Sequence, residues 1–383
     1  MRIVWCTLQF LDYRIPVFEE LNKIEGVELY LLFNGDLNAK RIIEKSRKVL
    51  GDNSIPLYGE FNIGNANTES FANSGFRLPY QKGLIKKIKD LKPDVMVGDG
   101  FFQWSYATLF LSASKNIPHV MCYERTMHTE RNAQLIRTKY RKLALRWIDV
   151  ICCSGSWCEK YIRYLGFKGS ITKGFMVADT QTFLKNTETT KKQSKIKDNS
   201  IIEYVFVGRL IGLKGIEQLL EAWSIFSKTY SDVILTIIGK GVLEDYIKSK
   251  IEEEEIEGIN FIGEVDYDSI QQRYLNADIF VLPTLEDNWS LVVPEAMASG
   301  LPIITSIYNG CYPELVTSKN GWVMDPLNTN NFVNTLKESY NKRSHFIEMG
   351  QKSIEIVKKH NPQNAAKSVY DACRLAINKN HEK

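Results

Sequence analysis

The chain has 383 residues, a net charge of +4, 44% hydrophobic and 25% charged residues, the balance of a globular, water-soluble protein with room for two domains. No apolar run approaches the roughly 18 residues that a membrane-crossing helix needs, and Met1 to Cys6 is too short an apolar stretch for a signal peptide. The seven cysteines are odd in number and form no C-x-x-C pair, so they are expected as reduced core thiols of a cytosolic protein rather than metal ligands or a disulfide framework.

In chain order, Ile3 to Thr7 reads as a strand, Ile15 to Lys23 as a helix and Val27 to Asn34 as a strand. Residues 35–75 are rich in Asn and Gly, end in Phe71-Ala72-Asn73-Ser74-Gly75, and predict long loops around a short helix. Leu84 to Leu91 is helical and stopped by Pro93; Val95 to Val97 is a strand, Trp104 to Ser114 a helix, His119 to Tyr123 a strand. Gln134 to Trp147 is a helix, Val150 to Cys153 a strand and Trp157 to Leu165 a helix closed by Gly166. Residues 184–200 are polar without apolar periodicity and predict an interdomain linker or a surface excursion next to it.

A second series follows: strands at Tyr204 to Val207, Val233 to Ile238 and Asn260 to Ile262, and helices at Gly215 to Thr229, Leu243 to Glu254 and Ser269 to Asn276. In the stretch from Val281 to Thr305, an apolar strand ends at Pro283 and a polar loop carries Glu286, Asp287 and Asn288. A helix beginning near Trp289 is expected to set Asp287 and Glu295 near its two ends, with bare amides between them. Three closing helices follow, Asn331 to Tyr340, Ser344 to Lys358 and Gln363 to Asn378. Strand and helix in turn predict an α/β fold of two Rossmann-like domains, with ligand bound in a cleft between them, outside the carboxyl ends of the strands.

The chemistry concentrates in Val205 to Gly215. A strand ends at Gly208, Arg209 lies at its carboxyl end, Lys214 lies at the mouth of the next helix and Gly215 lets that helix start tightly. Two cations converging on a helix N-terminus make a diphosphate site, and they suit a diphosphate leaving group on which charge builds. The bland alternative is an ordinary turn with surface cations.

G-R-L-x-x-x-K-G at 208–215, I-I-G-K-G-V-L at 237–243, F-I-G-E-V at 261–265, P-T-L-E-D-N-W-S-L-V-V-P-E-A-M-A-S-G-L-P at 283–302 and N-G-C-Y-P-E-L-V at 309–316 occur in one order. As a set they resemble the retaining GT-B glycosyltransferases of family four, the glycosyl transferases group 1, in the type that builds bacterial surface polysaccharide. The front half resembles one bacterial branch through Tyr13 to Leu21 and Glu124-Arg125-Thr126.

The resemblance implies a metal-independent, cofactor-free hexosyltransferase that moves sugar from a nucleotide-diphosphate sugar to an acceptor hydroxyl with retention. Arg209 and Lys214 would contact the diphosphate. Glu295, the second acid of the family's Glu-x7-Glu motif, would accept from ribose hydroxyls, and Asp287, in the place of the first Glu, would bind sugar hydroxyls. Gly208, Gly239, Gly263 and Val265 would approach the nucleotide, and Asn288, Trp289, Ser290 and Leu291 the phosphate or sugar. Tyr13, Arg14, Glu124 and His128 are acceptor-side candidates, with a loop role the plainer reading of His128. The chain departs from the family in Asp287, in Asn288-Trp289-Ser290 for Gly-Phe-Gly, and in Phe10 to Tyr13 where relatives have a glycine-rich loop. The implied domains are 1–180 for the acceptor and 201–360 for the donor, with 361–383 a helix returning to the first.

Charge adds a partner. Residues 1–175 hold 26 Lys and Arg against 17 Asp and Glu, and the remainder 23 against 28. The basic half suits a lipid-linked saccharide acceptor and peripheral contact with an anionic membrane at the inner face of the plasma membrane, or is simply a solvated surface. The helix from Arg131 to Trp147 carries Arg137, Lys139, Arg141, Lys142 and Arg146 and is expected to bury its apolar side and turn its basic side outward or onto lipid. Asp266-Tyr267-Asp268 opens a helix and is expected to cap it rather than hold a metal. Gly98-Asp99-Gly100 lacks the rest of a dinucleotide fingerprint, because Gln103 breaks it. No nucleic-acid partner is expected. The rival readings are a sugar-nucleotide epimerase or hydrolase on the same fold, and a non-catalytic protein binding polyanions or a membrane surface.

Overall fold

Apolar runs that are buried on both faces become the central strands of parallel sheets, and this chain builds two such sheets. The structure, a computed structural model, describes residues 1–64, 78–193 and 201–381. The loop residues Phe71 to Gly75 and the linker residues 194–200 lie outside the described residues. The chain divides into one unit of Met1–Val177 with Pro362–Lys383 and a second of Ala178–Asn361.

The first unit runs β1 (Arg2–Thr7), α1 (Ile15–Asn22), β2 (Glu28–Asn34), α2 (Lys40–Leu50), β3 (Ser54–Leu57), a short antiparallel pair β4 (Phe61–Ile63) and β5 (Leu78–Tyr80), α3 (Leu84–Asp90), β6 (Val95–Asp99), α4 (Ser105–Lys115), β7 (His119–Tyr123), α5 (Leu135–Ala144), β8 (Val150–Cys153), α6 (Ser156–Tyr164) and β9 (Ser170–Lys173). Its sheet has the order β3-β2-β1-β6-β7-β8-β9. Ile3 pairs with Leu29 on one side and Val95 on the other, so the order reverses between β1 and β6.

The second unit runs α7 (Thr180–Gln193), β10 (Ile202–Val207), α8 (Ile216–Ser227), β11 (Val233–Ile238), α9 (Glu244–Glu253), β12 (Ile259–Gly263), α10 (Tyr267–Asn276), β13 (Ile279–Leu282), α11 (Val292–Ala298), β14 (Ile303–Ser306), α12 (Tyr312–Leu315), β15 (Gly321–Met324), α13 (Thr329–Asn341) and α14 (Phe346–Val357). Its sheet, β12-β11-β10-β13-β14-β15, repeats the first six positions of the other, and its order reverses between β10 and β13. The last helix, α15 (Pro362–His381), packs on α1 and the strands of the first unit. Its buried stripe is Ala365, Ala366, Val369, Ala372, Cys373 and Ala376, small enough for close approach, and Ser368 Oγ donates to Lys173 O at 2.7 Å. All seven cysteines are buried and free.

The structure changes three readings. Residues 184–193 are not linker but the greater part of α7, which belongs to the second unit. Past Phe183, which packs on the rings of Tyr267 and Tyr274, its docking is polar: Thr187 Oγ1 donates to Ala298 O at 3.0 Å, and Asn186 Nδ2 to Gln271 Oε1 at 2.7 Å. Apolar periodicity is blind to such a helix. Within 35–75 the chain forms the eleven-residue α2 and β3, hidden because Ser46 occupies the buried face of α2 and bonds Ser54 Oγ at 2.7 Å. The helix expected from Trp289 begins at Val292, so Asp287 and Glu295 do not flank it. Asp287 stands in the preceding loop and Glu295 in the first turn.

Candidate active site

In the second unit the strand-end loops of β10 and β13 are laced together. Gly215 closes a 3-10 turn, Gly212–Lys214, at φ +69°, and a Cβ there would lie 2.0 Å from Pro283 O. Only glycine permits that approach. Thr284 Oγ1 and the Leu285 amide both donate to Leu213 O, at 2.9 and 2.8 Å. Beside them Gly239, at φ +148°, lies so close to Gly208 that a Cβ would be 1.8 Å from its carbonyl oxygen, and its amide donates to Gly263 O at 2.8 Å. Gly208, Gly239 and Gly263 thus form one side-chain-free rim at the carboxyl ends of β10, β11 and β12. Arg209 is exposed on this rim, and Val265, half-buried, follows β12.

Asp287 organises the loop after β13. Its carboxylate is ion-paired with Lys214, and the hydroxyl of Ser290 donates to the same oxygen. The Trp289 amide donates to Oδ1 at 3.1 Å, closing an Asx turn that the reach of an Asp side chain suits. Gly310 N holds the Asp287 carbonyl at 2.9 Å. Burial raises the Asp287 pKa, but Lys214, Ser290 and the Trp289 amide outweigh it and the net shift is downward. The expected row of bare amides is therefore shortened, since that of Trp289 is engaged by Asp287. Leu291 precedes α11, and the buried Glu286 backbone carbonyl accepts from Thr284 Oγ1 at 3.2 Å. Asn288 Oδ1 and the indole Nε1 of Trp289 are buried without hydrogen-bond partners.

Glu295 lies buried in the first turn of α11. Tyr274 and Tyr267 point their hydroxyls at its two oxygens, at 3.3 and 3.4 Å. Burial pushes its pKa up to about 7, with the two tyrosines opposing the rise and Asp179 adding to it. The tyrosine pair is a site feature not foreseen; its signal is the seven-residue spacing that sets both on one face of α10. Asp266 occupies the N-cap position of α10 but its side chain makes no capping bond, contrary to expectation, and the side chain of Asp268 lies outside the described residues.

In the first unit a cavity of about 140 Å³ is lined by Tyr13, Arg14, Glu124, Asp99, Gln9 and Gln103 among others. Arg14 ends a 3-10 turn after β1, and its Nη2 lies 3.3 Å from both oxygens of Asp99, which also accepts from Trp5 Nε1 at 3.2 Å. The guanidinium sits 5.1 to 5.7 Å from the rings of Trp5, Phe175 and Phe18. Burial works against its charge, but Asp99, Tyr13, Cys122 and Glu124 together outweigh it, so its pKa rises. Burial also pushes the Tyr13 hydroxyl up to about 12. His128 does not line this cavity; it lies in the turn before α5, its carbonyl accepting from Arg131 Nη1 at 2.6 Å. Asp99 was visible in the sequence only as the middle of Gly98-Asp99-Gly100 at a strand end.

Residues 186–360 match the family described as Glycosyl transferases group 1. An uncharacterised glycosyltransferase of Haemophilus influenzae is 29% identical over 275 residues, 71% of this chain and 74% of that protein. The amylovoran biosynthesis glycosyltransferase AmsK of Erwinia amylovora is 31% identical over 146 residues, 36% of each chain. Among solved structures, Anabaena Alr3699/HepE in complex with UDP superposes with a TM-score of 0.70 at 12% identity, covering 97% of this chain and 99% of that one.

Proposed function

We propose that this chain, which has the GT-B fold and matches the glycosyl transferases of group 1 over residues 186–360, transfers a sugar, with retention and without a metal, from a nucleotide-diphosphate sugar to a saccharide acceptor. The observation that carries this reading is the loop between β10 and α8, where exposed Arg209 and the Asp287-paired Lys214 stand beside a glycine rim. A diphosphate on this rim meets two cations and no side chain that would hold it away. Lys214 is oriented by Asp287 before the donor arrives, so its charge is in place as the sugar–phosphate bond breaks and negative charge grows on the leaving group. Asp287 serves the donor sugar through the loop it shapes, as well as through its own oxygens.

Glu295 is the ribose anchor. Hydroxyl donors from a ribose join those of Tyr267 and Tyr274 and favour the carboxylate, drawing the pKa down from about 7. The acceptor hydroxyl attacks from the face the diphosphate leaves, and a phosphate oxygen takes its proton, so no side chain acts as nucleophile. The cavity of the first unit, with Tyr13, Arg14 and Glu124, takes the acceptor. The names of AmsK, for amylovoran biosynthesis, and of HepE bound to UDP support a polysaccharide acceptor and a uridine donor. A lipid-linked saccharide at the cytoplasmic face of the membrane is the acceptor we assign.

A thermal-shift panel of nucleotides and nucleotide sugars tests the donor: one nucleotide diphosphate should raise the melting temperature by mass action. Arg209→Ala should abolish that rise, and an unchanged rise sinks the diphosphate assignment. The anomeric configuration of the product, read by NMR, tests retention.

A further inference from the structure

Helix α5 hides charge and shows aliphatic side chains. Two of its four cations, Arg137 and Arg141, face the core, Arg141 with 1% exposure, while Leu135 and Ile136 are 81% and 71% exposed. The cause is Glu130, whose side chain is fully buried and pairs with Arg141 at 2.6 Å and with Arg125 at 3.3 Å. Arg141 also donates to Tyr161 Oη at 3.0 Å, and Arg137 and Arg141 lie 5.6 and 5.3 Å from the Phe102 ring. Rotating the helix to bury its aliphatic residues would strip a buried carboxylate of its counter-ions, so the apolar face is locked outward.

Scattered exposed aliphatic residues need no explanation, but this face is ordered. Leu135, Lys139 and Lys142 follow one another at helical spacing, with Ile136 and Leu143 on the adjoining row, and Arg146 and Trp147 stand in the 3-10 turn, Leu145–Trp147, that continues the helix. Each is exposed, and α5 contains no acidic residue. Lys142 Nζ lies 5.8 Å from the ring of Tyr164, itself largely exposed. Aliphatic side chains at the start of the helix and cations along the same face match a partner with an apolar interior beneath an anionic surface. We propose that this face of α5 docks on a bilayer containing anionic lipid, inserting Leu135 and Ile136 while Lys139, Lys142 and Arg146 meet headgroup phosphates. The proposal deepens, and rests on, the reading of a lipid-borne acceptor.

The test is sedimentation of the full chain with vesicles of phosphatidylcholine alone and with added phosphatidylglycerol. The chain should pellet with the mixed vesicles and be released by salt. Leu135→Glu with Ile136→Glu, and separately Lys139→Glu with Lys142→Glu, should each lower partitioning by about tenfold or more. Both should leave the melting temperature and transfer to a water-soluble acceptor unchanged, which separates a failed docking surface from a failed enzyme. In Ile136→Trp the new indole's emission should shift to the blue on mixed vesicles. Absence of vesicle binding, equal binding by all variants, or a concentration-dependent dimer that Leu135→Glu dissolves without any vesicle binding would each overturn the proposal.

Discussion

The two units place the same chemical pair at the same point of the same topology and make different things of it. In each, a 3-10 turn between the first strand and its helix ends in a cation, Arg14 or Lys214, and that cation crosses the reversal of strand order to an Asp, Asp99 or Asp287. Around Arg14 the neighbours are three aromatic rings, the Trp5 indole among them, and the planar guanidinium addresses both oxygens of its partner. Around Lys214 there is a glycine rim and a more open surface, and the compact ammonium keeps donors to spare. The first pair is part of the wall; the second is ready to share its charge with a ligand.

Breaking the first pair should cost the most. Arg14→Leu strands the buried Asp99 carboxylate, and unfolding by urea should show a loss of about 3–5 kcal/mol, much of it restored by adding Asp99→Leu. Intact stability in Arg14→Leu would erase the distinction between the two pairs. Lys214→Ala should instead cost catalysis, roughly 100- to 1000-fold in turnover, with a smaller stability loss because Ser290 and the Trp289 amide still hold Asp287.

A third contrast is Glu295: α11 has an acid in its first turn, and α4, its counterpart in the first unit, has none. Because folding raises this pKa from 4.5 to about 7, its contribution to stability is full below 4.5 and is lost as pH rises through about 7. Melting curves of Glu295→Gln should lack that decline, worth at most about 3 kcal/mol. A ribose that favours the carboxylate makes donor binding release protons near neutrality, which calorimetry in buffers of different ionisation enthalpy would detect. The smallest effect is that of Tyr267→Phe, about 1 kcal/mol in donor affinity, together with a further rise of the Glu295 pKa.

The alternation of strands and helices, the glycine positions and the cations of the β10 loop were all legible in the sequence, because each is a local pattern. What escaped depends on partners far along the chain. Asp287 was legible as an acid but not as the partner of Lys214, 73 residues away, nor Asp99 as that of Arg14, 85 away. The orientation of α5 was legible only in part for the same reason: Lys139, Lys142 and Arg146 face outward as expected, but two other cations do not. Arg137 and Arg141 look like an outer face until Glu130 is seen buried beneath them. His128 was marked by residue type alone, and it does not line the cavity.

The return of α15 to the first unit bears on how the chain is made. The first unit is assembled from both ends of the sequence, Met1–Val177 and Pro362–Lys383, and the second is an uninterrupted stretch between them. During synthesis, therefore, the second unit has its whole sequence in hand while the first still lacks the helix that covers its Ala- and Val-lined groove. The usual order, in which an amino-terminal domain is finished first, is reversed. Cutting the chain before Pro362 should lower the unfolding transition of the first unit and leave that of the second in place.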